Sequence, residues 1–278
     1  MRPEDFLTQV ITDATPTARD RSAAARNRAA LNRWAETTFM GNYGFRETGS
    51  WSHGTAVRSM SDVDYFLSLR GARPSASKDI LESLRTSLAT HLWRATVTIN
   101  RPAVRVQFND GSPDVEIVPA YLDFISDDYL IPDPVSTGWI RSNPRKHLAY
   151  VDSAQSKEPG AKKFMRLVKS WNHRQNVGLS SFYLEMRAAK HVLNNPPLLL
   201  LHDFCWLLDA LHVGGLASMN DPSQFDGRRI EACPQVSRTD RARLVGLYAD
   251  AARKARERAN DGSYETAQVW LDFIFYPE

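Results

Sequence analysis

Residues 49 to 69 constrain this chain more than any other stretch. They read Gly49-Ser50-Trp51-Ser52-His53-Gly54-Thr55, then Ala56 to Ser61, then Asp62-Val63-Asp64-Tyr65-Phe66-Leu67-Ser68-Leu69. The apolar run after residue 62 reads as a strand. Side chains alternate along a strand, so Asp62 and Asp64 leave on one side, roughly 7 Å apart. Two aligned carboxylates suit magnesium, which takes hard oxygen ligands and leaves room for substrate phosphates. Gly49 and Ser50 suit the phosphates themselves, because glycine lets backbone approach closely and N–H groups with a hydroxyl can hold the oxygens. Asp-x-Asp alone is common in solvated turns. The order Gly-Ser, Gly-Thr, Ser-Asp-Val-Asp and an apolar run is what makes the stretch specific.

A third carboxylate follows from the strand pattern. Thr96–Asn100 and Val104–Phe108 alternate apolar and polar residues, Asn109-Asp110-Gly111-Ser112-Pro113 is a turn, and Asp114 to Tyr121 begins another strand. Glu116 in that strand can face the same side as Asp62 and Asp64, with Asp114 a lesser substitute. Three acidic groups with no evident basic partner repel one another unless cations sit among them, which points to metal rather than a structural cluster.

The remaining elements read as follows. Residues 4 to 40 are helical with a break at Thr15-Pro16-Thr17, where Thr17 or Asp20 caps the second segment. The five arginines from Arg19 to Arg33 read as a solvated face. Phe45 to Ser50 is a short strand into the Gly-Ser turn. Lys78 to Trp93 is a helix with Ile80, Leu81, Leu84, Leu88 and Leu92 as its core stripe. Asp123 to Lys157 reads as a long connection with Pro132, Pro134 and Pro144. Helices are then expected over Ala161–Gln175, Ser180–Asn194, Pro197–Val213, Arg238–Asn260 and Tyr264–Phe275, with Ser218–Arg228 a loop.

A chain of 278 residues holds one large domain or two modest ones. Its net charge of +3 is too small to mark a protein that coats nucleic acid. The two cysteines, Cys205 and Cys233, lack zinc-ligand neighbours and indicate a reducing compartment. Residues 1 to 20 carry no apolar leader segment, and Leu198 to Val213 is broken by His202, Asp203 and Asp209, short of the roughly 20 residues of a span. A soluble cytoplasmic protein with no membrane contact is the expectation.

Gly49-Ser50 followed by Asp62-Val63-Asp64 resembles the signature of the DNA polymerase beta-like nucleotidyltransferases. With Gly54-Thr55 and Ser61 included, it is most similar to the bacterial cyclic-oligonucleotide synthases called CD-NTases, relatives of cyclic GMP-AMP synthase and oligoadenylate synthetase. The string Val115-Glu116-Ile117-Val118-Pro119-Ala120 resembles their third motif, where those families usually carry Asp. Residues 138 to 144 with His147 also resemble a CD-NTase segment, and no role is assigned to Arg141 or His147. Arg166-Leu167-Val168-Lys169-Ser170-Trp171 and Leu179 to Glu185 are similar to the helix and turn that hold the donor nucleotide. The resemblance implies that Lys169 binds donor phosphates with Arg166 as a weaker candidate, that Ser181 bonds the phosphates or ribose, and that Phe182 lies near the base.

What the resemblance implies for the whole is an α+β fold. It would be a bilobal polymerase beta-like nucleotidyltransferase, a mixed-sheet core lobe with a long N-terminal helix over 1–157 and a helical lobe over 158–278. The implied reaction condenses NTPs into a cyclic di- or trinucleotide with release of pyrophosphate, in bacterial antiphage (CBASS) signalling. Two Mg²⁺ ions, or Mn²⁺, would be held by Asp62, Asp64 and Glu116. A regulatory protein of a defence operon is the implied partner. The absence of a Cys/His zinc insertion argues against activation by nucleic acid. Two other functions stand beside this one: a transferase making a linear product on RNA or protein, and an inactive NTP-binding relative, suggested by Glu116.

Overall fold

The structure is a computed structural model that describes residues 1–39, 41–223 and 227–277. Met40, at the end of the helix expected over 4 to 40, and residues 224–226 of the expected loop lie outside the described residues. The chain forms two compact units, residues 16–146 and residues 1–15 with 147–278.

The unit of residues 16–146 is a seven-stranded mixed sheet with helices. It begins with α2 (Ala18–Thr38), which follows α1 (Pro3–Asp13) across the expected break. Thr17 and Asp20 together cap α2: the Thr17 hydroxyl accepts from the Asp20 N–H, and the Asp20 carboxylate accepts from the Thr17 N–H. The strands are β1 (Gly44–Thr48), β2 (Val63–Leu69), β3 (Ala95–Asn100), β4 (Ala103–Phe108), β5 (Val115–Asp123), β6 (Asp128–Pro132) and β7 (Trp139–Ser142). They run in the order β1-β2-β5-β4-β3, and β6 joins the far end of β5 and carries β7. Only the β2–β5 pair is parallel; the other pairs are antiparallel.

Alternation divides this sheet into two faces with different duties. Val63, Tyr65, Leu67, Val104, Val106, Val115 and Ile117 are fully buried on one face, packed with Leu31 and Trp34 of α2 and with Leu81, Leu84 and Leu88 of α4 (Ser77–His91). The other face carries Phe66, Ala103, Val118, Ala120, Tyr129 and Ile131 as a small second cluster. The same face carries Asp64 at the start of β2 and Glu116 at the start of β5, with Asp62 and Asp114 just ahead of the two strands. The five arginines of α2 are exposed, the solvated face the sequence suggests.

Two expectations are corrected here. Residues 123 to 157 are not a plain connection: they contain β6, β7 and α5 (Pro144–Lys157). Strands of four or five residues with prolines nearby carry no readable period, and pairing of β6 to the long β5, and of β7 to β6, is what makes them strands. Nor does the strand expected over Phe45–Ser50 run to its end. β1 stops at Thr48, and Gly49–His53 form a single short helix, α3.

The other unit is helical. It contains α1, most of α5, α6 (Ala161–Arg174), α7 (Ser181–Asn194), α8 (Leu200–Val213), α9 (Arg238–Asn260) and α10 (Tyr264–Phe275). A two-residue hairpin, β8 (Met219–Asn220) with β9 (Arg229–Ile230), frames the expected loop. Phe164, Leu167, Val168 and Trp171 of α6 are fully buried, as their spacing requires, among Phe204, Tyr183 and Phe275. The unit boundary falls at 146/147 rather than 157/158, and α1 goes with the helices because Phe6, Leu7, Val10 and Ile11 are buried in their core. Among the described residues no helix is long and apolar enough to cross a membrane.

Candidate active site

The parallel pair β2–β5 assembles the acidic residues. Its register sets Val63 against Val115 and Asp64 against Glu116, and the Val63 N–H donates to the Asp114 carbonyl at 2.8 Å. Asp62 and Asp64 therefore lie beside Asp114 and Glu116 on strands about 4.8 Å apart. All four leave the face opposite the buried valines, and all four are half-buried. Burial pushes the Asp62 carboxyl above its ordinary value, with Arg105 opposing and Asp114 reinforcing the shift. Burial likewise raises Glu116, against a hydrogen bond that the Asn100 amide of β3 donates to its Oε1 at 2.6 Å.

Contrary to the expectation from sequence, these acids have a basic partner. Arg105 of β4 pairs in register with Glu116 and points to the same face. Its Nη2 donates to Asp114 at 2.8 Å and to Asp62 at 3.3 Å, and its Nε donates to Asp114 at 3.1 Å. The Gln107 amide adds a bond to the same Asp114 oxygen at 3.0 Å. The signal was present in the alternation of β4, since Arg105 and Gln107 share a face between buried Val104 and Val106. What the sequence could not supply is the neighbour of β4.

Gly49 and Ser50 open α3, and Gly49 has φ +62°. A Cβ built there would stand 2.0 Å from the Asp64 Oδ2. Here the glycine lets the carboxylate of Asp64 approach the backbone, in addition to any use toward phosphate. The segment after it is tied down. The Thr55 N–H donates to the Ser50 carbonyl at 2.9 Å, the Trp51 indole to the Ser61 carbonyl at 3.2 Å, and the Val57 N–H to the Ser61 hydroxyl at 3.0 Å. A cavity of about 270 Å³ lies beside it, lined in part by Trp51, Arg58, Ser61, Asp62, Arg105 and Asp114.

The other expected residues belong to the helical unit. Lys169 is buried in α6, and its Nζ donates to Glu185 of α7 at 2.5 Å. One turn on, His173 sits 3.2 Å from the Ser181 hydroxyl, and burial followed by the charge of Lys169 lowers the His173 pKa. Ser181 and Arg166 are half-buried. Phe182 packs edge-on against His147 at 4.8 Å, and His147 bonds the buried Asp221 at 2.8 Å. Glu185, the last residue of the Leu179–Glu185 segment, and His173, one helical turn after Lys169, join the candidates only through these contacts. His147, to which the sequence assigns no role, ties α5 to the segment at Asp221.

Among the described residues no group of three or more His, Cys, Asp or Glu closes around one point at metal-ligand distance. The donors that are present, paired carboxylates on one face with an open side, still fit a hard divalent cation that completes its shell with water and substrate oxygens. Asp64 and Glu116 stand side by side in register on the parallel strands.

Residues 1–154 match a protein family described as the Second Messenger Oligonucleotide or Dinucleotide Synthetase domain. A cyclic AMP-AMP-AMP synthase of Acinetobacter sp. (strain ATCC 27244 / 9458) is 28% identical over 159 residues, which are 52% of this chain and 45% of that protein. The match thus spans less than half of that relative's length. Among solved structures, CdnC of E. coli MS115-1 with ATP has 17% identity and a TM-score of 0.77, covering 99% of this chain and 98% of that one. The same CdnC in complex with HORMA-deltaN gives 17% and 0.72, over 98% and 96%. The CD-NTase CdnG of Bradyrhizobium diazoefficiens with GTP gives 14% and 0.74, over 98% of each chain. At these identities the likeness is one of fold, the α+β nucleotidyltransferase fold.

Proposed function

Because the chain belongs to the second messenger oligonucleotide or dinucleotide synthetase family, we propose that it joins NTPs into a cyclic di- or trinucleotide. The observation that carries this reading is the register of β2 on β5, which sets Asp64 beside Glu116 with Asp62 on the same face. In the proposed reaction a ribose hydroxyl oxygen attacks the α-phosphorus of a donor NTP. The bond to the β-phosphate breaks and pyrophosphate leaves. Asp62, Asp64 and Glu116 would hold Mg²⁺ or Mn²⁺. Such ions, when bound, acidify the hydroxyl and neutralise the triphosphate. Glu116, steadied by Asn100, takes the proton.

Lys169 and Ser181 serve the donor phosphates in this reading, with Arg166 assisting and Phe182 near the base. Glu185 holds the Lys169 ammonium in place, and His173 holds the Ser181 hydroxyl. Gly49 and Ser50 are the phosphate-binding candidates of the sheet unit in this reading. The product acts as a second messenger in antiphage defence in the cytoplasm, and a regulatory protein is the proposed partner, supported by the likeness to an E. coli CdnC in complex with HORMA-deltaN.

The test incubates the purified chain with Mg²⁺ or Mn²⁺ and labelled NTP mixtures, then treats the products with phosphatase. Phosphatase-resistant label is expected. Release of all label sinks cyclisation and leaves a linear transferase, and no pyrophosphate from any mixture leaves an inactive binder. Asp64→Asn is expected to abolish pyrophosphate release; full activity in that variant removes the carboxylates from the reaction.

A further inference from the structure

A cation of the chain itself stands among the carboxylates. Arg105 shares one nitrogen, Nη2, between Asp114 at 2.8 Å and Asp62 at 3.3 Å, and gives Nε to Asp114 as well. Its grip is therefore unequal: two bonds on Asp114 and one longer bond on Asp62. The backbone beneath it is held in the middle of the sheet, between β3 and β5, with Val104 and Val106 fully buried. Only the side chain can move, and it borders a cavity of about 270 Å³ whose lining includes Arg58, Ser61 and Ser112.

We propose, building on the metal-dependent reading above, that Arg105 is an internal competitor for metal at Asp62. In the nucleotide-free protein the guanidinium neutralises Asp62 and Asp114, and a divalent ion gains Asp62 only as the weaker of its contacts opens. A positive charge so close to the site also repels a dication directly. A triphosphate reverses both effects, because its oxygens offer the guanidinium a partner of matched geometry and charge. Metal binding is then coupled to nucleotide binding, and Arg105 is the positioning residue that couples them.

The test titrates Mn²⁺ alone into the full chain at pH 8 and follows the free ion by electron paramagnetic resonance, with and without a non-hydrolysable NTP analogue. Arg105→Gln is expected to bind Mn²⁺ roughly tenfold more tightly than wild type when nucleotide is absent, the scale of removing one nearby like charge. Arg105→Lys keeps the charge and is expected to stay near wild type. Arg105→Met, which keeps the apolar arm, is the second charge-free variant should Arg105→Gln melt early in circular dichroism. Equal or weaker Mn²⁺ binding in the charge-free variants overturns the competition and leaves the metal site standing. Absence of Mn²⁺ binding in wild type and in every variant, with or without the analogue, removes the metal reading and this coupling together.

Discussion

At the scale of the residue, two side-chain environments decide what substitutions will do. Gly49 sits at φ +62° with Asp64 where its Cβ would be. Gly49→Ala is expected to lose about 1–2 kcal/mol of stability to the left-handed backbone alone and to displace the Asp64 carboxylate. A lowered melting temperature with abolished pyrophosphate release checks this, and unchanged activity would show that Asp64 does not need its present position. Asp221 is the second case. Burial works to raise its pKa, but the hydrogen bond and charge of His147, with the N–H and hydroxyl of Ser223, bring it down to about 2. A carboxylate lowered by folding adds stability above its unfolded pKa of about 4, and that stability is lost as pH falls toward 2. Asp221→Asn is expected to cost about 3 kcal/mol at neutral pH and to flatten the acid limb of urea-unfolding stability between those two values. The carboxylates themselves were legible because alternation is a local rule. Their partners were not, since Arg105 and Asn100 come from strands whose neighbours only pairing decides.

At the scale of the element, β5 is the member on which the site depends. Nine residues long, it pairs with β2 along one edge and with β4 and then β6 along the other. It thereby brings Glu116 between Asp64 and Arg105. β3 contributes from farther out, through the amide of Asn100. Asn100→Ala frees one oxygen of Glu116 from a 2.6 Å bond while leaving the exposed end of β3 otherwise intact. Pyrophosphate release is expected to fall 10- to 100-fold, roughly the effect of removing a partner that orients a ligand. The melting temperature should hardly move. A rate within twofold of wild type would mean that Glu116 is oriented by something else. The helices other than α3 and α5 are legible in the sequence because a stripe such as Leu81, Leu84 and Leu88 repeats over several turns, whereas α5 begins at a proline and follows a proline-rich run. β6, β7 and α3 escaped because four or five residues are too few to show a period.

At the scale of the molecule, each unit has its own apolar core. A chain built this way is expected to depart from two-state unfolding. Leu84→Ala, which opens a cavity in the core of the sheet unit, should lower one urea transition by about 2–5 kcal/mol and leave the transition of the helical unit in place. A single transition that shifts as a whole in far-UV circular dichroism and tryptophan fluorescence would contradict that. The amino-acid sequence alone determined the family resemblance, the alternation of Asp62 and Asp64, and the main helices, because each is written in neighbouring residues. Only the tertiary structure decided that α1 packs with the helical unit, that Lys169 is buried on Glu185, that Gly49 yields its space to Asp64, and that Arg105 stands among the acids. Those facts depend on which surfaces and strands become neighbours, and burial of apolar area and completion of the hydrogen-bond ladders select them across the whole chain.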